Sequence, residues 1–196
     1  MKRFLAVSLA AFFLSGCLEK GQQEEGLTKA ISAVERTEIS RNSPDMTVKS
    51  WWRLKDAVAV LDLEECKARM KHAAPYFAKM SELSTPDIYE YRNCSKAPDT
   101  YDRRITNVDV QSDTRAVVAA HISNTTAPDE GATLSAEDRK KKEEGDAYQY
   151  VLERVDAASE WKISQVSNMP SWSSEWRVVF KKPEPSSNRW VFDYQQ

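Results

Sequence analysis

The chain has 196 residues, with 28 lysines and arginines against 30 aspartates and glutamates, for a net charge of −2. That balance excludes electrostatic attraction to nucleic acid as an organising property. Six tryptophans, seven tyrosines and only five glycines argue for a packed core and against a disordered stalk.

Met1-Lys2-Arg3 leads into an apolar run from Phe4 to Leu14, and the small pair Ser15-Gly16 closes it. Cations, a short apolar run and small residues are the layout of a secretory signal. The run is too short for a bilayer-spanning helix, which needs ~20 apolar residues. Leu14-Ser15-Gly16-Cys17 resembles the lipobox of bacterial lipoproteins. The resemblance implies cleavage before Cys17, acylation of its thiol, and a lipid bilayer as the first partner. An ordinary signal followed by a chance cysteine is the alternative. Residues 1–16 take Lys2 and Arg3 with them, so the mature chain has 180 residues and a net charge of −4. Each buried CH₂ of an acyl chain contributes about 0.8 kcal/mol, so several chains hold the protein permanently.

Two cysteines remain, Cys66 and Cys94. An exported compartment favours disulfides, and two thiols allow one intramolecular pairing. A Cys66–Cys94 disulfide is therefore expected, with two buried free thiols or a metal pair as alternatives. Two cysteines with no nearby histidine cluster make a poor zinc site.

Residues 17–42 read as the lipid anchor and a tether. Leu18 to Gly26 is polar with two glycines, as suits a flexible segment. Leu27, Ile31 and Val34 follow at helical spacing, leaving open a short docking helix or disorder. Leu18 and Glu19 lack the aspartate that resembles an inner-membrane retention signal. The periplasmic face of the outer membrane is the expected location, with the inner membrane or cell surface as alternatives.

A single α+β domain is expected over 43–196, with a core at 43–167 and a C-terminal extension at 168–196. Ser43-Pro44-Asp45 has the chemistry of a helix start. Val48, Trp51, Trp52, Lys55 and Val58 follow on one face. This helix is expected to end between Ala59 and Asp62. A second should run from Leu63 past Met70 to about Ala73, with Pro75 breaking or restarting it. The period then changes to two. Ile88 to Arg92 reads as a short strand, and Ile105 to Val110 with Arg115 to Asn124 as a hairpin. Thr125 to Gly145 is a charged insertion, helix-prone in its second half. Ala147 to Val155 and Glu160 to Ser167 make the clearest hairpin. Trp176 to Lys181 and Arg189 to Tyr194 are expected to form a C-terminal hairpin.

Helices followed by antiparallel strands is an α+β order. Ser43 to Trp52 resembles the first helix of nuclear transport factor 2-like, or cystatin-like, domains. Tyr148 to Arg154 with Glu160-Trp161-Lys162-Ile163-Ser164-Gln165-Val166 is similar to the closing hairpin of that superfamily. The resemblance covers about Ser43 to Ser167 and implies a curved sheet wrapping a helix into a cone with a pocket. The residues after Ser167 and the long insertion depart from the pattern.

Enzymes of that superfamily use an Asp or a His–Asp pair with Tyr. Here His72 lies in a polar helical stretch, and His121 shares a strand face with Val117 and Ala119. No carboxylate can be tied to His121 by sequence, and a general base needs such a partner within reach. No Gly-x-Ser-x-Gly, phosphate-binding loop or metal-ligand spacing occurs. Trp51, Trp52 and His121 are the candidate pocket-lining residues, although Val48 with one of the tryptophans is also expected to cover the sheet as core. No catalytic residue, metal or cofactor is expected. The reading is a membrane-anchored, non-catalytic binding module with a protein partner in the envelope. The alternatives are an immunity-type inhibitor of a secreted toxin and a cone-pocket isomerase or dehydratase.

Overall fold

The computed structural model describes residues 15–85, Cys94 and residues 97–181, with residues 15–24 and Lys181 described by their backbone alone. The element order is α1 (Ser15–Glu35), α2 (Pro44–Leu83), β1 (Tyr101–Ser112), β2 (Arg115–Asn124), α3 (Ala136–Glu144), β3 (Asp146–Glu153), β4 (Lys162–Met169) and β5 (Arg177–Lys181). The fold is α+β: helices, then a five-stranded antiparallel sheet in the order β1-β2-β3-β4-β5. The chain divides into two compact units, one from Met1–Glu38 and Trp52–Pro98, the other from Ile39–Trp51 and Asp99–Gln196.

In the first unit, the stretch read as a flexible tether is helical from Ser15 to Glu35. Gly21 and Gly26 do not break it. A Cβ at Gly26 would stand 2.7 Å from Glu64 Oε2 of α2, the far end of a side chain free to shift. Ala30 is buried, as is Leu63 on α2. Burial of one face offsets the entropic cost of glycine in a helix, which is about 0.5–1 kcal/mol per residue.

α2 is one 40-residue helix where two were expected, and Pro75 lies inside it. The stretch from Ala59 to Leu63 holds neither glycine nor proline to break the helix, so it continues. Pro75 cannot donate to the carbonyl of Lys71. Both residues are exposed, so water is open to that carbonyl and the helix continues. Cys66 and Cys94 stand at disulfide distance, with S–S 2.08 Å and Cα–Cα 5.8 Å.

The second unit is built on the sheet. β2 matches its expected span, while β1 is longer at both ends than the pattern predicted. Ala116, Val118 and Ala120 of β2 lie opposite Leu152, Tyr150 and Tyr148 of β3. Val166 of β4 faces Tyr150, and Phe180 of β5 faces Val166. Directly opposed residues in an antiparallel pair share a face, so this set forms one apolar face. Ala116, Val118 and Leu152 are wholly buried and Val166 nearly so.

The Ile39–Trp51 segment belongs to the same unit. The Trp161 backbone N–H donates to the Arg41 carbonyl at 3.0 Å, and the Arg41 guanidinium pairs with Glu160. α2 starts at Pro44 because Ser43 O accepts from Thr47 N–H at 3.0 Å. Ser43 differs from its expected capping role: its hydroxyl donates to Asp45 Oδ1 at 2.7 Å. Ser43 and Lys49, at 2.9 Å, together hold the Asp45 carboxyl below its usual range. Val48 is wholly buried, and the Trp51 ring meets Phe180 edge-on at 6.3 Å.

The insertion forms α3, capped where Ser135 Oγ accepts from Asp138 N–H at 3.0 Å. Its Glu137–Lys141 pair is at 2.8 Å. Gly145 ends it with φ +62°, and a Cβ there would fall 2.4 Å from the Ile122 carbonyl oxygen. Only glycine fits so close a return to the sheet. β5 covers the first part of the expected C-terminal hairpin and pairs with β4. The other part, Arg189 to Tyr194, lies outside the described residues, as does the expected strand at Ile88 to Arg92.

Candidate functional site

The sheet's apolar face becomes polar at one end. β1 brings Tyr101 and Arg103, which pair with Asn124 and Ile122 of β2. β3 brings Tyr148, opposite Asn168 of β4, and Asn168 in turn faces Arg177 of β5. Alternation places all of these on the face of Val118 and Leu152.

The Arg103 guanidinium lies over the Tyr101 ring, 5.0 Å from its centroid. The Tyr101 hydroxyl points to Asp99 Oδ2 at 3.4 Å. Burial raises the Tyr101 pKa, the Asp99 charge and hydrogen bond add to that, and Arg103 opposes them. Burial also raises the Tyr148 pKa, with the Asp146 charge next; the Asn168 hydrogen bond and Arg103 pull the other way. The Tyr148 and Tyr150 rings stack at 6.4 Å. Both Tyr101 and Tyr148 are thus protonated phenols at neutral pH, able to donate hydrogen bonds beside an arginine and an amide. Such a surface can hold a polar or aromatic ligand by hydrogen bonding and stacking.

Of the residues singled out by sequence, Trp51 and His121 belong to the sheet's unit and are not part of this polar end. Cys17 lies within α1, its side chain outside what is described. Trp51 meets Phe180, and Trp52 is 8% exposed. His121 is half-buried opposite Arg104 and Ala147, on the other face of the sheet from Tyr148. Within the second unit, Trp51 meets Phe180 on the face of Val118, and His121 lies on the opposite face of the sheet. Tyr101, Arg103, Tyr148 and Asn168 were missed because they come from three strands, and only register brings them together. The alternation of Tyr148 with Tyr150 was the one local signal.

Among the described residues no group of three or more His, Cys, Asp and Glu is placed to hold a metal ion. No described helix is long and apolar enough to cross a membrane. No family model, curated protein or solved structure matches this chain.

Proposed function

We propose that the chain is the precursor of a bacterial envelope lipoprotein whose folded part is a non-catalytic binding module. The observation that carries this reading is the N-terminal sequence: Lys2-Arg3, the apolar run, and Leu14-Ser15-Gly16-Cys17. The Cys66–Cys94 pair at bonding distance supports an oxidising compartment. Helix α2 leading into an antiparallel meander supports a relation to the cystatin-like superfamily. The ligand or partner surface is the Tyr101, Arg103, Tyr148 and Asn168 end of the sheet. Its chemistry is donation and stacking, and His121, the candidate base, lies on the opposite face.

The test is fractionation of cells expressing the wild type and Cys17→Ser. The variant should remain as uncleaved precursor or leave the membrane fraction. Processing and sedimentation identical to wild type would end the lipoprotein reading. For the binding surface, the mature protein and Tyr148→Ala should be compared in pulldowns from envelope extract; an unchanged set of captured proteins removes that surface from consideration.

A further inference from the structure

The polar end of the sheet forms a band that crosses all five strands. Arg103 lies within electrostatic reach of both phenols, Tyr101 and Tyr148. Asn168, hydrogen-bonded to Tyr148, faces Arg177 across the ladder of β4 and β5. The Arg177 guanidinium in turn lies over the Trp172 ring, 4.5 Å from its centroid. The Ser171 backbone N–H donates to Asp146 Oδ1 at 2.9 Å, which ties the segment carrying Trp172 to the start of β3. From β1 to β5 the band spans four strand spacings, about 19 Å. The rings at its two ends stand open, Tyr101 at 42% exposure and Trp172 at 62%. Each has a guanidinium over one face, so stacking by a ligand falls to the other face.

Two features of the band select its ligand. The first is charge of both signs: Arg103 and Arg177 are matched by Asp99 and Asp146. A strongly charged ligand meets repulsion there along with attraction. The second is donors beside acceptors. Guanidinium only donates, carboxylate only accepts, and phenol and amide do both. Asp99 already holds two neutral hydroxyls, since Tyr101 points to Oδ2 at 3.4 Å and Thr126 Oγ1 donates to Oδ1 at 3.1 Å. A hydroxyl ligand uses both halves of such a mixture, whereas an ion uses one. Open ring faces add a place for a flat apolar surface. A pyranose combines these needs, with a face of C–H bonds and a rim of hydroxyls. We infer that Tyr101, Arg103, Tyr148, Asn168 and Trp172 bind an uncharged oligosaccharide. Its sugar rings stack on Tyr101 and Trp172, and its hydroxyls are held between them. This rests on the reading of this end of the sheet as the binding surface and gives that surface a ligand class.

The experiment is calorimetric titration of the whole protein, purified from envelopes in a detergent without a sugar headgroup. The probes are N-acetylchitotetraose and cellotetraose, both neutral, with tetragalacturonate as the anionic comparison. At least one neutral tetrasaccharide should bind, with the same affinity at low and high salt. Tetragalacturonate should bind more weakly than that sugar. Trp172→Ala and Tyr148→Phe should each lower the affinity about two- to tenfold, as loss of one stacked ring or one hydrogen bond does. Both variants should melt as the wild type does, because Trp172 is exposed and phenylalanine keeps the Tyr148 ring. Absence of binding by both neutral sugars would overturn the inference. So would tighter, salt-sensitive binding of tetragalacturonate, or folded variants that bind the sugar as the wild type does. The Tyr148→Ala pulldown separates this failure from failure of the surface. If no sugar binds and the captured proteins change, the surface contacts a protein and only the sugar inference falls. If no sugar binds and the captured proteins are unchanged, both fall.

Discussion

One helix is held in two different ways along its length. At its start, α2 buries Thr47, Val48 and Ser50, and Ser50 Oγ accepts from the Ser40 backbone N–H at 2.9 Å. Beyond Leu63 no residue of α2 is buried. There the Cys66–Cys94 bond and the Glu64–Lys67 pair, at 2.6 Å, take the place of a core. The first stretch is stabilised by removal of apolar area from water, and the second by a covalent restriction of the unfolded chain. The lesson is that helix type says little about what holds a helix.

The largest expected effect is in the sheet unit. Leu152 is fully buried, so Leu152→Ala should cost about 2–5 kcal/mol, a large share of the ~5–15 kcal/mol that holds a domain of this size. Calorimetry should show the melting transition collapse towards ambient temperature. A shift of only a degree or two would mean that β3 does not carry the core.

Cys66→Ser sharpens the comparison. Its bond closes a loop of 28-residue separation, for which the chain-entropy relation gives roughly 3.5 kcal/mol. Hydrogen exchange should rise along α2 after Leu63 and stay unchanged in β2 and β3. Equal acceleration in both would show that the two regions open as one.

Asp45 gives a smaller, pH-dependent effect. Its pKa is lowered in the folded state by Ser43 and Lys49. A depressed carboxylate stabilises the protein above its unfolded pKa, near 4, and that contribution is lost as pH falls through the folded value. Asp45→Asn should therefore destabilise by about 0.3–1 kcal/mol at pH 7, from loss of charge at a helix start. The difference from wild type should shrink in denaturation curves taken below pH 4. A constant difference across pH would assign the effect to packing.

The smallest change belongs to His121. It is half-buried on the sheet face away from Tyr148, so His121→Ala should alter stability by no more than about 0.5 kcal/mol. In cells, at matched protein level, its activity should equal wild type. Loss of activity in a folded, membrane-bound variant would favour the enzyme reading over the binding module.

What could be read locally was read correctly where one face of an element is buried. β2 alternates because Ala116, Val118 and Ala120 face the core, and its span followed from period two alone. Val48 fell on the buried stripe of α2 for the same reason at period 3.6. Reading failed where burial is weak. In α1 and the later part of α2, glycine and proline do not punctuate the chain: α1 runs through Gly26, and Pro75 sits on an exposed turn of α2.

The sequence by itself determined the α+β order and the inward residues of the middle strands, because each is encoded within a few neighbouring positions. Only the tertiary structure decided that β5 joins β4, that His121 and Tyr148 take opposite faces, and that Tyr101, Arg103, Tyr148 and Asn168 meet. Those relations depend on strand register between residues distant in the chain. A shift of one position would send every side chain to the other face, and no local pattern records which register wins.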